Sequence, residues 1–177
     1  MTRVGRNASV VSLFMSASDR LVANARRHAD TFSGGDLPTA PKLGVAIVCC
    51  MDSRIDLFAL FGLEVGEAHL LRNGGGTVTD DVVRSLAISQ RKLGTREIIL
   101  VHHTKCGMLT MTDDSFRAEI EADTGRRPTW AVESFTDPAA DVRQSIARIK
   151  ASPYIPYRDE IRGFVYDVAD GTLSEVH

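Results

Sequence analysis

A chain of 177 residues, 44% hydrophobic and 25% charged, suits one soluble globular domain with a sizeable core. Its net charge of -2 argues against nucleic acid or an anionic membrane surface as partner, and no window holds the roughly 18 uninterrupted apolar residues that span a bilayer. Three cysteines make no disulfide framework, so free thiols in a reducing compartment, the cytoplasm, are expected.

The opening MTRVGRNASVVSLFMSAS loosely mimics a secretory signal, but serines interrupt its apolar part and Asp19-Arg20 follow at once. An amphipathic helix from Ser9 to about Thr31 fits better, with Val10, Leu13, Phe14, Leu21 and Val22 on or near one face. SGGDLPTAP then breaks it, and Pro38 and Pro41 hold an extended connector. LGVAIVCC is a nearly continuous β-branched run, long enough for a strand buried on both faces of a parallel sheet. RIDLFALFGL gives a short helix ending near Gly62, and EAHLLR a brief strand running into NGGGTVTDD. Asp80 to Leu93 is helical, with acidic residues in its first turn and Gly94 at its stop. REIILVHH is a second buried strand. Helices follow in LTMTDDSFRAEIEADTG and in TDPAADVRQSIARIKAS, the latter capped by Asp137 before Pro138. The chain ends in a strand and hairpin turning at Asp170-Gly171. Strands alternating with helices predict an α/β fold, a mostly parallel central sheet flanked by helices. Residues 1–42 would form an N-terminal helix and connector, and residues 43–177 one α/β domain.

Two strands end in metal-ligand residues. The first runs into Cys50-Met51-Asp52-Ser53-Arg54, the second into His102-His103-Thr104-Lys105-Cys106-Gly107. Reactive groups gather at the carboxyl ends of parallel strands. If these strands are neighbours, Cys50, His103 and Cys106 converge, and two thiolates with an imidazole suit Zn²⁺. Three protein ligands leave a fourth position, as in catalytic zinc sites. Asp52 could occupy that position or hydrogen-bond whatever does, and Arg54 could hold the carboxylate away from the metal. Side-chain alternation turns Cys49 and His102 the other way, which makes them a buried small hydrophobe and a satisfied interior histidine. The run RNGGG, Arg72 to Gly76, lacks the pattern of a nucleotide loop. Its glycines permit close backbone approach to the neighbouring strand or offer amide donors to a small anion. Asp80-Asp81 and Asp113-Asp114 read as helix-start pairs. Trp130 and Phe135 read as core or subunit-contact residues.

CMDSR, RNGGG and HHTKCGM, in that order and spacing, resemble the β-class carbonic anhydrases, in their compact bacterial and archaeal branch. The resemblance covers Leu43 to Val176. It implies Cys50, His103 and Cys106 as zinc ligands, an Asp52–Arg54 dyad beside them, and Gly74, Gly75 and Gly107 in loops shaping the substrate pocket. It implies reversible hydration of carbon dioxide to bicarbonate and a proton by zinc hydroxide, with Asp52 accepting its hydrogen bond. It also implies a homodimer or homotetramer, with the N-terminal helix packed on a partner subunit as a dimerisation arm. RNGGG departs from the common alanine form at Gly74, which bears on pocket shape.

Two other readings share these residues. Carbonyl sulfide and carbon disulfide hydrolases resemble the same family, because zinc hydroxide can attack any linear heterocumulene. A non-catalytic zinc module would need neither Asp52 nor Arg54, and a redox role for Cys49-Cys50 lacks the C-x-x-C spacing.

Overall fold

The computed structural model of the chain describes residues 15–177, which fall into two compact units divided between Leu37 and Pro38. The first holds helix α1, Ala17–Ala29. Ser16 caps it by accepting from the Asp19 amide, while the Asp19 carboxylate accepts from the Ser16 amide, a reciprocal capping box. No α1 side chain is buried, and Leu21 and Val22 are 63% and 49% exposed. Of the expected apolar face, Val10, Leu13 and Phe14 lie outside the described residues.

The second unit follows the expected element order: β1 (Val45–Cys50), α2 (Leu57–Phe61), β2 (Ala68–Asn73), α3 (Asp80–Leu93), β3 (Glu97–His103), α4 (Asp113–Thr124), α5 (Pro138–Ala151), β4 (Ile161–Tyr166) and β5 (Leu173–Val176). A single 3-10 turn, Gly107–Thr110, precedes α4. The sheet order is β2-β1-β3-β4-β5, parallel throughout except for the final antiparallel hairpin. The expected stops hold. Gly62 and Gly94 end α2 and α3 in the left-handed conformation that glycine adopts without a Cβ clash. Asp137 caps α5, with Pro138 in its first turn.

β1 lies between β2 and β3, and all six of its residues are buried. Ala46 and Val48 pack with Val82 and Leu86 of α3 and Ile149 of α5, whereas Val45, Ile47 and Cys49 pack with Ile55, Leu57, Val101 and Phe135. A fully buried aliphatic side chain there contributes about 1.5–3 kcal/mol. This two-sided burial explains why the β1 sequence shows no polar alternation.

Two glycines mark close approaches. Gly76 has φ +74, and a Cβ on it would lie 2.7 Å from the Cys50 amide nitrogen, so the loop after β2 lies directly against the end of β1. Gly163 on β4 faces α5, and a Cβ there would overlap Val142 Cγ1 and come within 3.0 Å of Ile146 Cδ1. The helix sits on bare backbone at that point.

Candidate metal centre

β1 and β3 are parallel neighbours with Cys49 opposite Val101, so both strands deliver their last residues to one edge of the sheet. Cys50 ends β1 and His103 ends β3. The chain then reverses through Lys105, held at φ +54, to bring Cys106 back against them. The ligand atoms of Cys50, His103 and Cys106 lie within 4.8 Å of one another, and all three residues are buried. The two sulfurs are 3.9 Å apart.

The protonation pattern fits a cation. His103 Nδ1 lies 2.9 Å from the Thr104 carbonyl oxygen, which can only accept, so Nδ1 carries the hydrogen and Nε2 keeps its lone pair. That Nε2 is buried without a hydrogen-bond partner. An orphaned buried lone pair beside two thiols is costly unless a cation takes it. Between the sulfurs, the hydrogen bond from Cys106 holds the Cys50 thiol well below its ordinary value, against burial and with help from His103. The same bond, together with burial, pushes Cys106 up.

Asp52 stands at the rim. Arg54 grips its carboxylate with Nε to Oδ1 at 2.9 Å and Nη2 to Oδ2 at 2.6 Å, and the Arg54 amide adds a third bond at 2.9 Å. These bonds hold the carboxyl far below the usual carboxylate range. Its Oδ2 lies 3.7 Å from His103 Nε2. Arg54 Nη2 also reaches the Lys105 carbonyl at 3.0 Å, which ties the loop after β1 to the loop after β3.

Cys49 and His102 stay outside the ligand set. Cys49 is fully buried in the apolar cluster, and burial pushes its thiol up to about 12. His102 turns to α5, where its Nε2 lies 2.7 Å from Asp141 Oδ2 and Phe135 packs on its ring. Among the glycines, Gly75 is buried. Gly107 is exposed and opens the 3-10 turn. Gly74 lines a groove of about 600 Å³ together with Arg72, Met108, Phe116 and Trp130. Trp130 is 53% exposed there, whereas Phe135 is in the core.

Two features escape the sequence reading. Asp141 backs His102, and Arg72 grips the loop that carries Asp52. Both depend on pairings of distant segments, and no local spacing signals either.

The carbonic anhydrase family model matches residues 45–173. The chain is 54% identical over 162 residues to β-carbonic anhydrase 1 of Mycobacterium tuberculosis, covering 92% of this chain and 99% of that protein. It is 32% identical to a carbon disulfide hydrolase of Saccharolobus solfataricus, over 74% of this chain and 76% of that one. Among solved structures, a Streptococcus mutans carbonic anhydrase superposes with a TM-score of 0.86 at 43% identity, covering 92% of this chain and 99% of that chain.

Proposed function

This chain belongs to the carbonic anhydrase family, and on that footing we propose that it catalyses the reversible hydration of carbon dioxide to bicarbonate and a proton. The observation that carries the proposal is the partnerless lone pair of His103, gathered with two cysteine sulfurs and flanked by the carboxylate that Arg54 holds. In this reading Cys50, His103 and Cys106 hold a zinc ion. When bound, zinc lowers the pKa of water toward about 7 and so makes hydroxide available at neutral pH.

The chain's own residues do the rest. The Asp52 carboxylate is kept ionised by Arg54 and can only accept. It would therefore accept a hydrogen bond from the attacking oxygen and turn that oxygen's lone pair toward the carbon of the substrate. Because Arg54 occupies both carboxylate oxygens, Asp52 is restrained from moving onto the metal. The Thr104 carbonyl fixes the tautomer of His103. Apolar walls of the neighbouring groove, Met108 and Phe116 among them, suit an uncharged linear substrate.

The likeness to carbon disulfide hydrolases, at 32% identity or below, makes that substrate the competing reading. The test is metal analysis of the purified protein followed by side-by-side rates on carbon dioxide and carbon disulfide. One zinc per chain with fast carbon dioxide hydration supports the proposal. Carbon disulfide turnover with negligible carbon dioxide hydration at alkaline pH overturns it.

Three finer assignments belong to the same reading. Cys49, Cys50 and Cys106 are all free, which favours a reducing compartment, the cytoplasm. The unburied apolar side chains of α1, Leu21 and Val22, favour a homodimer in which residues 1–42 form the arm and residues 43–177 the zinc-binding domain. Gly74 and Gly107 border the substrate pocket, with Gly75 behind them.

A further inference from the structure

Residues 51–56, between β1 and α2, carry Asp52 but lie outside any strand or helix, and the main-chain bond within them runs from the Ile55 amide to the Asp52 carbonyl. One guanidinium adds three more bonds along this stretch. Arg72, next to last in β2 and opposite Cys49 in register, donates from Nε to the Cys50 carbonyl at 2.9 Å. It donates from Nη2 to the Asp52 carbonyl at 2.6 Å and from Nη1 to the Ile55 carbonyl at 3.0 Å. The three acceptors span the whole turn from the first thiol to the start of α2.

We propose that Arg72 is a positioning residue for the reaction assigned above: its planar fork fixes the turn 50–55 and so aims the Asp52 carboxylate at the nucleophile. The inference rests on that reading of Asp52. The two arginines divide the task. Arg54 holds the carboxylate and Arg72 holds the main chain beneath it, so Asp52 is gripped at both ends. A misplacement of about 1 Å at a reacting group can cost on the order of 100-fold in rate, and Asp52 Oδ2 stands 3.7 Å from His103 Nε2. Lysine cannot substitute, because an ammonium is a point donor and cannot serve three carbonyls arranged around a plane.

The test uses the zinc-loaded full chain with Arg72→Lys and Arg72→Ala. Both variants are expected to keep zinc and the fold while kcat falls on the order of 10- to 100-fold, with little change in KM. Added guanidinium restores part of the kcat of Arg72→Ala, and added ammonium does not. A second readout needs no turnover: amide hydrogen exchange at Arg54 and Ile55, whose amides bond Asp52 in this turn, speeds up in both variants and slows again with guanidinium. Wild-type kcat and wild-type exchange in Arg72→Ala overturn the proposal. So does a rate loss that follows zinc loss and is not rescued by guanidinium. If the wild-type protein hydrates no carbon dioxide, the functional reading falls while the exchange measurement still decides whether Arg72 holds the turn.

Discussion

At the residue scale, the gathering of Cys50 and His103 was legible because two apolar runs each end in a cysteine or histidine, and parallel strands put such ends together. Chain spacing left open where the Asp52 carboxylate sits, and in the structure it takes three bonds from Arg54. Cys106→Ser is expected to lose zinc and, since metal binding is coupled to folding, much thermal stability. Metal analysis alongside a melting curve checks it, and full zinc occupancy would remove Cys106 from the ligand set. Asp52→Ala should retain zinc and lose on the order of 10- to 100-fold in kcat. Kinetics that match the parent protein at every pH would exclude Asp52 from the mechanism. The role of Arg72 could not be read beforehand. Its strand neighbours β1 only through the parallel register, and a sequence pattern shows that strands are buried without showing which of them pair.

At the element scale, helix ends were readable and the long connector was not. Asp137 and Gly94 act at helix ends through local chemistry. The segment before α5 is held from outside by Asp113 in the first turn of α4. Its carboxylate accepts from the amides of Val132, Glu133 and Ser134 and from the Ser134 hydroxyl. Glu133 takes φ +60 at the centre of this nest, and its own carboxylate pairs with Arg148, which also reaches Asp80. A helix-start role for Asp113 is thus only part of what it does. Burial pushes its carboxyl up, but the bonds from Ser134, Glu133 and Val132 outweigh burial and hold it below its ordinary value of 3.8. A depressed folded pKa gives stability that is complete above the unfolded value and is lost as pH falls through the folded one. Asp113→Asn should therefore cost about 2 kcal/mol at neutral pH, with the gap narrowing below about pH 4. Urea titrations on both sides of that point measure it, and a gap that is constant with pH would mean that the carboxylate charge is not what holds the connector.

At the scale of the whole molecule, the α/β class followed from alternating strand and helix patterns, but the strand order β2-β1-β3-β4-β5 did not, because hydrophobic runs carry no neighbour label. The unburied face of α1 bears on assembly. Leu21→Glu with Val22→Glu should shift the proposed dimer to monomer in sedimentation, and an unchanged sedimentation coefficient would place the subunit contact elsewhere. The bare seat at Gly163 couples distant parts of the fold. Val142, which rests on it, directly follows Asp141, and Asp141 braces His102 beside the proposed ligand His103. One added methyl at position 163 would lift α5 and loosen that brace from behind. Gly163→Ala is expected to weaken zinc affinity as well as lower the melting temperature, and competition against a chelator would reveal it. Inherited or engineered loss of activity could thus arise at a position with no polar atom of its own side chain, on a strand that supplies no ligand.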